Sequence, residues 1–287
     1  RIHSGDGSGA TAVLKWVDPY APVQHPHGWH GDAGHARKLA SYRVETAFYQ
    51  STGATPNTHW RVPACIASGC ADDGQVRLLL EDLDAAGFAQ RAHAGDHDAL
   101  DACVTWLAAF HASHLNRAAD TIWPVGCYWH LGTRADEWHA MPAGALKSHA
   151  AAIDTALNSA RFQTWVHGDA KLANFCLNHN RTQAAAVDFQ YVGAGVGVRD
   201  LMVLCASALD DSALTRHADS VLERYFERLR ARLHAGVAGA ALEAEWRALW
   251  PFAWADYLRF LAGWSPGHTR NTAYAEAQTA RALAQLA

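Results

Sequence analysis

The stretch W-V-H-G-D-A-K-L-A-N-F, residues 165–175, constrains the fold of this chain more than any other feature of its sequence. It is followed by A-V-D-F-Q at residues 186–190, so that two hydrophobic runs, F-C-L and A-A-A-V, flank the polar turn N-H-N-R-T-Q. Apolar runs on both sides of a short polar turn predict a β-hairpin. Asn174 and Asp188 then stand close together at the open end of that hairpin.

This hairpin carries the residue types that phosphoryl transfer needs. Asp169, five residues before Asn174, can orient an attacking hydroxyl group. Asn174 and Asp188 offer oxygen ligands of the kind that Mg²⁺ prefers, and Mg²⁺ neutralises charge on nucleotide phosphates. The tripeptide H-G-D alone recurs by chance, but here five residue types are fixed at set spacings. The pattern therefore predicts a kinase-like catalytic loop rather than an ordinary polar turn.

Lys15 and Glu45 are predicted to hold the nucleotide. Lys15 lies in residues 10–17, A-T-A-V-L-K-W-V, which have the composition of a β-strand. Glu45 lies in residues 35–50, whose apolar positions have loosely helical spacing. A strand lysine paired with a helix glutamate grips the α- and β-phosphates in kinases. Each alone would be read as an exposed charge, but beside the catalytic loop we predict an ion pair.

Residues 4–9, S-G-D-G-S-G, have the composition of a phosphate-binding glycine loop but not its spacing. Such a loop is followed by a strand and a turn before the lysine strand begins, and only five residues separate Gly9 from Lys15. We therefore predict a hairpin turn here. The first strand and the nucleotide-covering loop are expected upstream of Arg1.

A strand is predicted at residues 76–83, V-R-L-L-L-E-D-L, where it runs into a polar pair. In kinase folds this strand leads to the hinge, whose backbone groups bond the adenine edge, so Glu81, Asp82 and Leu83 are the predicted hinge residues. An i, i+3, i+4, i+7 apolar pattern over residues 100–115 predicts a buried helix beneath the catalytic loop.

Composition restricts the partners and the compartment. Half of the 287 residues are hydrophobic, which suits a substantial core. No apolar run reaches membrane-spanning length, and a net charge of −4 offers no basic face, so neither a membrane nor a nucleic-acid partner is expected. The six cysteines form no C-x-x-C pair and no secretory signal opens the chain, so a cytoplasmic protein is expected.

Together these motifs resemble the aminoglycoside phosphotransferase and choline kinase branch of the protein-kinase-like fold. The chain is most similar to the ecdysteroid-kinase-like group, whose members often show H-G-D with D-F-Q in place of D-F-G. The resemblance rests on A-V-L-K, Y-x-V-E, L-L-L-E-D-L, H-G-D-x-x-x-x-N, and D-F-Q followed by R-D-L. It implies an α+β, two-lobed fold, with a small β-rich N-lobe over residues 1–83 and a large helical C-lobe over residues 84–287.

The resemblance also implies roles for individual residues. It makes Asp169 the catalytic base, and Asn174 with Asp188 the Mg²⁺ ligands. Lys15 and Glu45 become the clamp on the ATP phosphates.

The motifs also allow predictions for three further residues. By the same resemblance Asp200 holds the backbone of the catalytic loop. Gln190 replaces the glycine expected after Asp-Phe, so this segment is predicted to be less free to flip. Lys171 occupies the place of the catalytic-loop lysine of protein serine/threonine kinases, and we predict that it contacts the transferring γ-phosphate; a plain surface lysine is the alternative. No A-P-E-like motif follows, which argues against a protein substrate.

The acceptor pocket is expected in the C-terminal region. Residues 212–234 form an amphipathic stripe that predicts core packing. Residues 250–268 concentrate aromatic rings with few polar groups, a composition suited to the wall of a small-ligand site, although most of these rings are expected to pack the lobe. Trp264, His268 and Tyr191 are the predicted substrate-side residues.

A histidine-rich segment at residues 25–35 contains His25, His27, His30 and His35. Four histidines this close could bind Zn²⁺ or Ni²⁺. The glycine-rich sequence and the absence of nearby cysteine favour a simple loop instead.

We therefore predict Mg²⁺-dependent transfer of the ATP γ-phosphoryl group to the hydroxyl of a small-molecule alcohol. A non-catalytic nucleotide-binding pseudokinase that acts through a partner is the alternative, and the retention of all five expected active-site residues speaks against it. The sequence leaves open the acceptor, the choice between ATP and GTP, and the oligomeric state.

Overall fold

The computed structural model describes residues 1–3, 9–18, 32–52, 57–70 and 75–287. The N-terminal part is a four-stranded antiparallel sheet, in the order β1-β2-β4-β3, with one helix against it. Its elements are β1 Ile2–His3, β2 Thr11–Val17, α1 Asp32–Thr52, β3 Cys65–Cys70 and β4 Val76–Glu81.

The register of this sheet explains where the strand lysine points. Lys15 of β2 lies directly opposite Leu78 of β4, and residues that are opposite each other project to the same face. Leu78 is buried in the hydrophobic cluster that contains Phe48 of α1. Lys15 therefore projects toward α1, the helix that carries Glu45.

The glycine-rich segment is flanked by paired strands, as a hairpin requires. Ile2 lies opposite Ala12, and His3 lies opposite Thr11. Residues 4–8, which would form the predicted turn, lie outside the described residues. His25, His27 and His30 of the histidine-rich segment also lie outside them.

The remainder of the chain is mainly helical and contains two small antiparallel sheets, β5-β7-β8 and β6-β9. The predicted hairpin is present as β7 and β8. The elements are β5 Gln90–Arg91, α2 His97–Ser113, α3 Ala135–Ala140, α4 Ala145–Ser148, α5 Ala150–Asn158, β6 Thr164–Val166, β7 Phe175–Leu177, β8 Ala184–Ala186, β9 Gly193–Gly195, α6 Val198–Ala208, α7 Asp211–Arg230, α8 Gly239–Trp264 and α9 Ala273–Ala284.

Helix α2 is the centre of the helical part. It is capped by Asp96, whose side chain accepts a hydrogen bond from the Ala99 N–H at 3.1 Å. It packs against α6, α7 and β6, and it is buried along most of its length. The structure therefore has the predicted α+β fold. It consists of a small sheet-based N-terminal part and a large helical C-terminal part. The boundary at residue 83 stays a prediction.

The hydrophobic core is continuous between the two parts. Phe48 of α1 stacks on Phe189 of the D-F-Q segment, with ring centroids 4.0 Å apart and the planes within 15°. Both rings are completely buried. Helix α1, which carries Glu45, is thereby fixed directly on the segment that carries Asp188.

None of the helices in the described ranges has an apolar stretch long enough to cross a membrane.

His114, at the C-terminal end of α2, makes the stability of the fold dependent on pH. Its ring stacks on Trp165 at 4.7 Å, and its Nδ1 is bonded to the Phe110 carbonyl at 2.8 Å. Burial lowers the pKa of His114 from 6.5 to about 4. The unfolded chain therefore binds a proton more readily, so this contribution to stability is full above about pH 6.5 and is lost as the pH falls toward 4.

We expect a His114→Phe variant to lose less stability in acid than the wild type does. Phenylalanine keeps the stacked ring but removes the titrating group, which accounts for about 3 kcal/mol between neutral pH and pH 4. Urea unfolding of both proteins across this range measures the difference. If the unfolding free energies of the two proteins have parallel pH profiles, His114 does not control the acid sensitivity of the fold.

Candidate active site

The catalytic loop connects β6 to β7 and depends on a glycine. Gly168 has φ +79°, and a Cβ there would lie 2.1 Å from the carbonyl oxygen of Tyr191. Only glycine fits both conditions. The loop therefore turns tightly against Tyr191 and presents Asp169 at its tip.

Two neighbours hold the Asp169 carboxylate. Its Oδ2 accepts hydrogen bonds from Lys171 Nζ at 2.8 Å and from Asn174 Nδ2 at 3.2 Å, and Asn174 Nδ2 also donates to the Asp169 carbonyl at 2.8 Å. No hydrogen bond reaches Oδ1 from any residue that the structure describes. Burial raises the pKa of the Asp169 carboxyl, and the ammonium of Lys171 opposes this rise. A carboxylate with a raised pKa is a better proton acceptor.

Asp200, at the start of α6, is hydrogen-bonded to the backbone of the loop that carries Asp169. Its two carboxylate oxygens accept hydrogen bonds from the backbone N–H groups of His167 at 2.6 Å and Gly168 at 3.0 Å. His111 Nε2 lies 3.1 Å from the same carboxylate, and His111 Nδ1 is bonded to Tyr225. The side chains involved are fully buried: Asp200, His111, His167 and Tyr225. The backbone before Asp169 is thus fixed by a carboxylate that has no access to solvent.

Asn174 and Asp188 meet at the open end of the β7–β8 hairpin. The Val187 N–H donates to the Asn174 carbonyl at 3.0 Å, which joins the two positions. Because the Asn174 amide nitrogen is bonded to Asp169, its amide oxygen is left for a cation. The Asp188 carboxylate is 39% exposed. Hard oxygen donors of this kind fit Mg²⁺, which takes its other ligands from phosphate and water.

The predicted ion pair between Lys15 and Glu45 is present, and its role as a clamp on nucleotide phosphates stays a prediction. Lys15 Nζ lies 2.6 Å from Glu45 Oε2 and 3.5 Å from Asp188 Oδ1. Burial alone would lower the pKa of Lys15, but the carboxylates of Glu45 and Asp188 outweigh it and hold that pKa above its ordinary value. Lys15 is therefore a fixed positive charge next to the candidate metal ligands.

A cavity of about 320 Å³ opens beside this lysine. Its apolar lining includes Val13, Leu80 and Val187, and the charged side chains of Lys15 and Asp188 also line it. This combination of an apolar slot and a few charged groups is typical of a ligand site.

The predicted hinge residues also line this cavity. The Glu81 carboxylate lies 2.6 Å from an Arg61 guanidinium nitrogen, and the Asp82 carboxylate lies 2.6 Å from Arg1 Nε. Since both carboxylates are engaged, the hinge offers a ligand its backbone groups and the apolar side chain of Leu83.

Comparison with known protein families agrees with this geometry. Residues 137–235, about a third of the chain, match the model of the ecdysteroid kinase-like family. This segment contains the catalytic loop, the β7–β8 hairpin and Asp200. The resemblance to this family is confirmed. No curated protein matches the chain significantly.

Solved structures show the same kinase-like fold. A microcompartment-associated aminopropanol kinase superposes with a TM-score of 0.50 at 14% identity, over 97% of this chain and 85% of that chain. An aminoglycoside phosphotransferase from Streptomyces rimosus gives 0.46 at 15% identity, over 86% and 88%. A choline kinase from Streptococcus pneumoniae gives 0.47 at 11% identity, over 97% and 87%. At 14% identity, the likeness to the aminopropanol kinase concerns the fold alone.

Lys38 of α1 lies in the candidate site but was not among the residues predicted from the sequence. Lys38 Nζ donates to Gln190 Oε1 at 2.7 Å, and Gln190 Nε2 donates to Asp188 Oδ1 at 2.7 Å. Burial lowers the pKa of Lys38, and Asp188 opposes this effect. Lys38 precedes Glu45 by seven residues, which places both on one face of α1. That spacing was the signal that could have identified it.

The three predicted substrate-side residues have different surroundings. Tyr191 lies against Gly168, which precedes Asp169. Trp264 stacks on Phe260 with centroids 5.3 Å apart, and the His268 ring is 5.8 Å from Trp264. The roles of all three stay predictions.

Most polar and aromatic side chains of α8 pack the core instead of lining a pocket. Trp250 and Trp254 are buried. Asp256 and Arg259 form a buried ion pair with 2.8 Å between the carboxylate oxygen and the guanidinium nitrogen.

Proposed function

We propose that this chain is a Mg²⁺-dependent kinase that transfers the γ-phosphoryl group of ATP to a hydroxyl of a small molecule. One observation carries the proposal: Asp169, the pair of Asn174 and Asp188, and the pair of Lys15 and Glu45 form one connected array beside a cavity. The family match over the catalytic segment supports it.

In the proposed complex, the adenine ring occupies the cavity beside the backbone of the hinge, and Lys15 binds the α- and β-phosphates. Asn174 and Asp188 would hold Mg²⁺, which neutralises negative charge on the phosphates when it is bound. Glu45 keeps the Lys15 ammonium in place through the 2.6 Å contact.

Asp169 orients the acceptor hydroxyl in line with the γ-phosphorus. A bond forms between the acceptor oxygen and that phosphorus, and the bond to the oxygen bridging the β-phosphate breaks, so that ADP leaves. The hydroxyl proton passes to the Asp169 carboxylate. Because such transition states are loose, positioning contributes more than basicity does.

A panel experiment tests the proposal. The protein is incubated with Mg²⁺ and either ATP or GTP, together with alcohols, amino alcohols, sugars and aminoglycosides. Mass spectrometry then looks for products heavier by one phosphoryl group. Transfer to at least one acceptor is expected. A thermal shift with Mg²⁺-ATP but no transfer to any acceptor would favour the pseudokinase alternative.

Lys171→Ala is expected to lower kcat by roughly a hundredfold, because we assign its ammonium to the charge that develops on the transferring phosphoryl group. The KM for ATP should change little. Lys171→Arg, which keeps the positive charge, is the matched control and should retain more activity. Steady-state kinetics with a turned-over acceptor measure both variants. An unchanged kcat in Lys171→Ala would make this residue a plain surface lysine.

A further inference from the structure

The space in front of Asp169 is bordered by two tyrosines that the backbone fixes there. The Tyr128 N–H donates to the Gly168 carbonyl at 3.0 Å, and the Tyr191 carbonyl packs on the Gly168 Cα. The two tyrosine rings contact each other edge to face, with centroids 5.8 Å apart. Both side chains therefore lie next to the residue that would orient the acceptor.

Arginines surround these rings. The Arg134 guanidinium lies 5.2 Å from the Tyr128 ring centroid and donates through Nε to the Tyr128 carbonyl at 2.7 Å. Arg37 is hydrogen-bonded to the Tyr191 hydroxyl and to the Thr133 carbonyl. Each of the two tyrosines beside the catalytic loop thus has an arginine partner.

A third arginine, Arg270, follows α8 and is joined to this cluster through Tyr257 of α8. Its Nη1 donates to the Tyr257 hydroxyl at 2.9 Å. Burial raises the pKa of Tyr257 and Arg270 lowers it, and the charges of Asp169 and Lys171 also act on it. Tyr257 precedes Phe260 by three residues in α8, and the Phe260 ring contacts the Tyr128 ring edge to face with centroids 5.1 Å apart. Arg270 is thereby joined to the tyrosines beside Asp169.

The charged side chains around Tyr128 and Tyr191 are mainly positive. Among the residues that the structure describes, Arg37, Arg134, Arg270 and Lys171 contribute four cations here, against the carboxylates of Asp169 and Glu137, and Glu137 lies 2.9 Å from Arg134. Arg270 is partly exposed, and within the described part of the chain it forms no ion pair with a carboxylate. A guanidinium fork with open donors suits a carboxylate or a phosphate.

We infer that the acceptor alcohol carries an oxyanion, a carboxylate or a phosphate ester, which Arg270 binds while Asp169 orients the hydroxyl. The inference rests on the proposed kinase function. An acceptor with an ammonium group would meet the Arg270 guanidinium, a charge of the same sign, and this discriminates against it.

A matched acceptor series tests the inference. Acceptors with one carbon skeleton and one hydroxyl carry a carboxylate, a phosphate, a neutral amide or an ammonium group. The expected result is a higher kcat/KM for one of the two oxyanion-bearing acceptors, and the two arms show which oxyanion is bound. Preference for the amide or the ammonium compound overturns the inference and leaves the kinase function standing. No transfer to any alcohol overturns the kinase function and the inference with it.

Arg270→Gln then identifies the binding group. Its KM for the oxyanion-bearing acceptor is expected to rise roughly tenfold to a hundredfold, with the KM for ATP and the kinetics with the amide unchanged. Arg270→Lys should recover part of the affinity. Arg281→Gln, an exposed arginine of α9, is the control. An equal loss with all acceptors in Arg270→Gln would show a structural role and overturn the assignment.

Discussion

An Asp169→Asn variant is expected to lose phosphoryl transfer by roughly 10²- to 10⁴-fold in kcat, while it folds as the wild type does. The amide oxygen can still accept the hydrogen bonds from Lys171 and Asn174. It cannot accept the hydroxyl proton. Since burial raises the pKa of Asp169, replacing its carboxyl by a neutral group removes a charge that the fold disfavours.

The measurement combines three readouts on the Asp169→Asn protein: kcat with a turned-over acceptor, the Kd for Mg²⁺-ATP, and the thermal midpoint. Only kcat should change strongly. Asp219→Asn, which makes the same change at an exposed position of α7, should match the wild type in all three. A kcat for Asp169→Asn close to that of the wild type would exclude Asp169 as the base.

Local patterns predicted the elements that carry Lys15, Glu45, Asn174 and Asp188. The lysine strand, the glutamate helix and the hairpin each have a periodicity that is visible within 20 residues, and the motif spacing connects them. The ion pair between Lys15 and Glu45, 2.6 Å long, follows from that spacing although 30 residues separate the partners. Register adds the direction: Lys15 opposite Leu78 must face α1.

The acceptor side could not be predicted in the same way. Tyr128 and Arg134 lie between α2 and α3, where the chain has no periodic pattern, and Arg270 lies in the turn between α8 and α9. They are brought together because α8 packs against residues 128–129, which precede α3. Composition also failed to identify the core residues of α8: Trp254 is completely buried, whereas Arg270, beyond the end of that helix, is partly exposed and bonded to the Tyr257 hydroxyl.

Asp200→Ala is expected to lower the free energy of unfolding by about 3–5 kcal/mol. The substitution removes the acceptor of two backbone N–H groups, those of His167 and Gly168, and the partner of the His111 ring. All of these groups are buried, so water cannot replace the carboxylate without opening the core. Asp210→Ala removes one hydrogen bond, to the Ala213 N–H at the exposed start of α7, and should cost only about 1 kcal/mol.

Because Asp200 is bonded to the backbone of the catalytic loop, its loss should change three measured quantities: the unfolding free energy, the exchange of the loop amides and kcat. Urea unfolding gives the stability of Asp200→Ala and Asp210→Ala, and hydrogen exchange gives the protection of the His167 and Gly168 amides. Both amides should exchange faster in Asp200→Ala, and kcat should fall because these amides fix the backbone that presents Asp169. Equal destabilisation in the two variants, with unchanged protection of the loop amides, would contradict this role. Asp200→Asn should lie between the wild type and Asp200→Ala, because an amide oxygen can accept from one of the two N–H groups while its nitrogen faces the other donor.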